Sequence, residues 1–162
     1  MALHAAWREG NANRMSTPYR LSLTVQYASD TAGLPARYQL RRWTKLTLQR
    51  DINMTIRFVN EAEGRELNKK FRGKNYATNV LTFVDERAGR LHGDVVICSP
   101  VVEKEALTQR KTLHEHYAHL VLHAALHLQG YDHDNDEDAA RMELRETALM
   151  AKLGYADPYQ TV

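Results

Sequence analysis

Apolar and polar positions alternate with period two in two stretches of the chain, and two denser apolar runs follow. Leu21, Leu23 and Val25 are interleaved with Ser22, Thr24 and Gln26, and Ile52, Met54, Ile56 and Phe58 repeat the pattern. Val80-Leu81-Thr82-Phe83 and the segment from Leu91 to Cys98 are the denser runs. Successive strand side chains point to opposite faces, so these four stretches predict four strands. Between them the period lengthens. After Pro35, the residues Leu40, Trp43, Leu46 and Leu48 recur at helical spacing with Arg37, Arg41, Arg42 and Lys45 among them, which predicts a basic amphipathic helix. Asn60 is placed to cap a helix ending near residue 71, with Glu61 and Glu63 in its first turn and Lys69 and Lys70 in its last, as the backbone dipole favours. Ser99-Pro100 predicts the cap and first turn of a helix to near residue 110, and another is expected from Thr112. The acidic run Asp134 to Asp138 leads into a last helix with Met142, Leu144, Ala148 and Leu153 on its apolar side.

The helix from Thr112 carries more imidazole than packing requires. In His123-Ala-Ala-Leu-His-Leu-Gln-Gly-Tyr-Asp-His133, two histidines stand four residues apart. On a helix they differ by about 40° in azimuth and about 6 Å in rise, within reach of one ion. Gly130 supplies the residue that takes a positive φ and ends the helix, so that the chain doubles back and His133 closes the site. His119 lies on the same stripe, but it is about 12 Å along the helix axis from His127, so the third ligand is expected from His133. Three neutral nitrogens without a thiolate suit Zn²⁺, and three protein ligands leave the open position typical of a catalytic site. The spacing also matches that of metzincin peptidases, whose second motif residue is a Glu acting as general base; here it is Ala124, which disfavours peptide hydrolysis.

At 162 residues the chain is expected to form one domain, residues 19–162, after an irregular extension over residues 1–18 that includes a second methionine, Met15. The single cysteine, Cys98, lies in an apolar run and is expected to be a core thiol in a reducing compartment. The first fifteen residues lack the apolar core of a signal peptide and no long apolar run follows, so a cytoplasmic protein without a membrane span is expected. The modest net charge of +2 conceals an asymmetry: fourteen basic against six acidic side chains before residue 81, and eight against fourteen after it. A basic half suits a polyanionic partner. Five cations fall between Arg65 and Lys74 against one Glu, just before Val80. Arg72 can clamp a phosphate in fork geometry, Lys74 adds a second RNA-facing cation, and Tyr76 and Asn79 can stack on or hydrogen-bond an unpaired base. Asp94 is expected to serve a turn at the entrance of the fourth strand, and Asp132 or Asp134 to orient a ligand imidazole from behind.

Asn68-Lys-Lys-Phe-Arg-Gly-Lys74, Thr78-Asn-Val-Leu-Thr-Phe83, Gly93-Asp-Val-Val-Ile97 and the 123–133 segment together resemble the YbeY family of bacterial metal-dependent endoribonucleases, over residues 20 to 155. The resemblance implies an α+β domain with a mixed four-stranded sheet packed with helices, and a Zn-type ion held by His123, His127 and His133 at the end of a central helix. It also implies RNA contact through Arg72. The role it implies is maturation of the 16S rRNA 3′ end and ribosome quality control, in company with small-subunit ribosomal proteins and a ribosome-assembly GTPase. Asn79 stands where many members have Asp, and Thr82 where many have Ser.

The expectation is therefore hydrolysis of single-stranded RNA at a one-metal site, with Arg72, His123, His127 and His133 as its catalytic set. The rivals are a zinc metallopeptidase and a non-catalytic ribosome assembly factor with a structural metal. The acidic run beside His133 directs substrate to the side carrying residues 65 to 83.

Overall fold

The computed structural model describes residues 17–131 and 134–160. The four expected strands are present: β1 (Leu21–Ala28), β2 (Ile52–Val59), β3 (Val80–Arg87) and β4 (Arg90–Cys98). They form one sheet in the order β1-β2-β4-β3, parallel across the first three and antiparallel between β4 and β3. Five helices accompany them among the described residues: α1 (Arg37–Thr47), α2 (Glu61–Arg72), α3 (Ser99–Thr108), α4 (Leu113–Leu128) and α5 (Asp136–Lys152). The mixed sheet and α+β class match the sequence reading. Residues 1–16 of the expected extension lie outside the described residues.

Register explains the core. Leu21, Ile52 and Leu91 stand side by side across the three parallel strands, as do Val25, Ile56 and Val95. All six are buried on the face covered by α1, α4 and α5. Each such aliphatic side chain contributes on the order of 1.5–3 kcal/mol by leaving water. The opposite face carries a smaller cluster, Val59, Leu81, Val96 and Cys98, packed against Leu67 of α2. Cys98 is the buried thiol expected, and burial pushes its pKa up.

Three local expectations are corrected. Cys98, not Ser99, occupies the N-cap of α3, and Ser99 is already a buried residue of the first turn. Asn60 does sit at the N-cap of α2, but its side-chain oxygen accepts from Ser29 Oγ at 2.9 Å, tying the end of β1 to α2. Asp94 serves no turn: it is an exposed mid-strand residue of β4 opposite Phe83, and alternation places it on the face away from α4. It is therefore a solvated strand residue on the other side of the sheet from the imidazoles.

The position of α4 depends on Gly93. A Cβ built there would lie 2.6 Å from Leu128 Cδ1 and 3.3 Å from its Cγ, so any side chain at this position would make Leu128, the last residue of α4, shift. This close approach, with the other buried residues of α4, seats the histidine-bearing end of the helix on the sheet.

Candidate metal centre

Helix α4 starts with Thr112, whose hydroxyl accepts from the Glu115 amide at 3.1 Å. It ends where the sequence places its stop. Gly130 has φ +106°, its amide donates to the His127 carbonyl at 3.1 Å, and the Tyr131 amide donates to the Leu126 carbonyl at 3.1 Å. This pair of bonds is a Schellman motif, which satisfies the last carbonyls and reverses the chain. The reversal has a chemical consequence. The Tyr131 carbonyl now faces His127 and accepts from its Nδ1 at 3.1 Å.

A carbonyl only accepts, so in the neutral His127 ring the proton is on Nδ1 and the lone pair on Nε2. His123 is held in the same tautomer by a different partner: its Nδ1 donates to Glu146 Oε1 at 2.6 Å. Two imidazoles on adjoining turns thus carry the lone pair on the same ring atom, each held from behind by an oxygen acceptor, the arrangement of metal-ligating histidines. The residues present fit a borderline divalent ion. His133 and Asp132 lie outside the described residues, and among the described residues no group of three or more His, Cys, Asp or Glu is arranged to hold a metal. His119 does not join the pair as a ligand; its Nε2 donates to Glu146 Oε2 at 2.8 Å.

Glu146 was not singled out in the sequence, although it left a signal. It lies four residues after Met142 and four before Met150, on the buried stripe of α5, where an acid is costly unless fully partnered. Leu144, expected on that stripe, is instead exposed. Burial alone would raise the Glu146 pKa, but donation from His119, His123 and Tyr159 outweighs it and holds the carboxyl down at about 2. Tyr159 responds oppositely: burial and its bond to the carboxylate raise its pKa. Glu146 is thus the carboxylate behind candidate ligand His123; of the two acids expected to orient a ligand imidazole, Asp132 lies outside the described residues and Asp134 stands exposed just before α5.

The basic segment is ordered. Gly73, with φ +69°, closes α2, and the buried Asn68 side chain donates to the Tyr76 carbonyl at 2.7 Å. Arg65 Nε donates to Asn75 Oδ1 at 3.0 Å. Arg72, Lys74 and Tyr76 are exposed. Phe71, missed in the sequence, is 55 % exposed, lies edge-on to Phe83 at 5.1 Å, and has Lys70 Nζ 5.3 Å from its ring centre. An aromatic flanked by cations at a helix end was the available signal. Asn79 is committed elsewhere: its Nδ2 donates to Glu105 Oε1 at 3.1 Å and its Oδ1 accepts from the Val80 amide at 2.7 Å. Arg72 and Lys74 follow from the helix on one face of the sheet and His123 and His127 belong to the helix on the other, with the edge strand β3 between them; no hydrogen bond joins the two groups among the described residues.

The family model described as Endoribonuclease YbeY matches residues 33–154. The chain belongs to the YbeY family. A YbeY endoribonuclease of Nitrosospira multiformis is 51 % identical over 158 residues, covering 88 % of this chain and 83 % of that one. Another from Aromatoleum aromaticum is 49 % identical over 152 residues, covering 92 % and 99 %. The solution structure of TM1509 from Thermotoga maritima has the same fold, with a TM-score of 0.52 at 24 % identity over 85 % of this chain and 99 % of that one. In this YbeY chain no helix among the described residues is long and apolar enough to cross a membrane.

Proposed function

We propose that this protein is a metal-dependent endoribonuclease acting on single-stranded RNA, with the 3′ end of 16S rRNA precursor as its substrate in the cytoplasm. One observation carries the chemistry: His123 and His127, one turn apart, both give their Nδ1 protons to oxygen acceptors and so carry their lone pairs on Nε2. Membership of a family named for endoribonuclease activity supplies the reaction class. His133 is the third ligand in this reading. When bound there, a Zn-type ion supplies Lewis-acid polarisation of a phosphoryl oxygen and acidifies water.

The chain's own residues bind and orient the substrate. Arg72 offers its guanidinium fork to a phosphate and offsets charge as the reaction proceeds; loss of one preorganised donor of this kind costs roughly 3 kcal/mol. Lys74 neutralises a neighbouring phosphate. Phe71 and Tyr76, exposed beside these cations, offer stacking surface to unpaired bases, at about 1–3 kcal/mol per base. Small-subunit ribosomal proteins and a ribosome-assembly GTPase are the partners that fit this role. Peptide hydrolysis finds no support, because Ala124, where a peptidase carries its base, is fully buried in the core.

The test is cleavage of a single-stranded RNA bearing the 16S rRNA 3′ region, with casein as counter-substrate. Wild type should cut RNA and spare casein. His127→Ala should abolish cutting, and Arg72→Ala should lower it by about a hundredfold or more. RNA cleavage unchanged in His127→Ala, or casein cleavage without RNA cleavage, would overturn the proposal.

A further inference from the structure

The segment after α5 forms a strap over the imidazole stripe. Lys111 Nζ donates to the Pro158 carbonyl at 2.9 Å, and Thr147 Oγ1 and the Tyr159 amide donate to Asp157 Oδ1 at 3.3 and 2.9 Å. These bonds tie the strap to the head of α4 and the body of α5. They also hold Tyr159 in place beside α4. The Tyr159 ring lies edge-on to His119 at 5.3 Å, and its hydroxyl donates to Glu146 Oε2, the oxygen that also receives the His119 Nε2 proton.

Glu146 has no solvent-accessible surface, so its direction is set by its partners. A carboxylate receiving only the His123 proton would be free to swing about its last torsion. Here the second oxygen is held from two sides, by His119 and by Tyr159, which leaves Oε1 aimed at His123 Nδ1, 2.6 Å away. An imidazole whose rear N–H is given to an oriented carboxylate is kept in one tautomer and made a stronger donor at its other nitrogen.

We propose that Glu146 and Tyr159 are positioning residues for His123, and that the strap around Asp157–Tyr159 sets the affinity of the metal site through them. The inference rests on His123 being a ligand, and it adds the element that orients it. It makes the tail after α5 part of the site although no tail residue ligates.

Zinc affinity of the full chain, stripped by chelation and titrated against a chromophoric chelator, tests this with Glu146→Gln, Tyr159→Phe and His127→Ala. Glu146→Gln is expected to bind zinc roughly 10- to 100-fold more weakly, and Tyr159→Phe more weakly than wild type by a smaller factor. A readout independent of metal is the nitrogen NMR pattern of His123 in the stripped protein. It should show the single Nδ1–H tautomer in wild type and a mixture in Glu146→Gln, whose amide can offer either an acceptor or a donor. Should Glu146→Gln fail to fold, Tyr159→Phe, at the exposed surface of the strap, carries the affinity readout. Unchanged affinity and an unchanged His123 pattern in the folded variants, with zinc lost in His127→Ala, would overturn the positioning role while leaving the metal site standing. Zinc binding that is absent in wild type, or retained in His127→Ala, would instead overturn the ligand assignment and the inference with it.

Discussion

His116 shares helix α4 with the candidate ligands, but its role is structural. It is buried, and its Nε2 meets Glu105 Oε1 at 3.1 Å, the carboxylate that also receives the Asn79 amide. Burial is the strongest influence on it and pushes its pKa below the usual 6.5; the bond to Glu105 opposes this, while Lys111 and His119 add to the depression. Because the folded value lies below the unfolded one, the unfolded chain holds more protons just under pH 6.5. Stability from this group is therefore complete above that pH and declines as acid is added. Urea unfolding of the metal-free protein at about pH 7 and about pH 5.5 should show wild type losing stability and His116→Gln losing less of it. Equal losses would contradict the assignment. Sequence spacing set His119 aside by its distance from His127 but gave His116 no role, because what that ring does is decided by the partner behind it. Glu105 and Glu146 come from other elements. The neutral Asn79 also gains a reason: a carboxylate there would face Glu105 with like charge.

At the scale of elements, β1 and β2 were legible from period two and β3 and β4 from their dense apolar runs, while the row Leu21, Ile52 and Leu91 is a matter of register that the pattern alone does not set. The α4 stop was legible because Gly130 is the residue a Schellman motif requires. The close seating of α4 on β4 was not, since it depends on what Gly93 touches across the sheet. Gly93→Ala should cost on the order of 1–3 kcal/mol by forcing Leu128 aside. Adding Leu128→Ala should cost less than the sum of the two single changes, because the smaller side chain makes room. Thermal or urea unfolding of the three variants reads this directly. Additive losses would mean that the two residues do not meet. The same displacement would disturb the turn that holds His127, so zinc affinity should fall with stability in Gly93→Ala.

At the scale of the whole molecule, the sheet separates two chemistries around its edge strand. The basic segment closing α2 lies on the face of the sheet opposite the one that α4 covers; in the proposed function, single-stranded RNA would cross the β3 edge between phosphate contacts on one side and the metal on the other. The charge asymmetry between the halves of the chain was legible in composition. That the acid orienting His123 would come from the interior of α5, and not from the acidic run beside His133, was not: the run looked like the nearer source, and only the packing of α5 on α4 brings Glu146 in. The central claim is that one divalent ion at His123, His127 and His133 is required for RNA cleavage. Stripping the purified protein of metal and restoring zinc in steps, while following both bound ion and the cleavage rate, tests it most directly. Activity should vanish on stripping and return in proportion to occupancy, saturating at one ion per chain. Full cleavage by the stripped protein, or by His127→Ala, would contradict it.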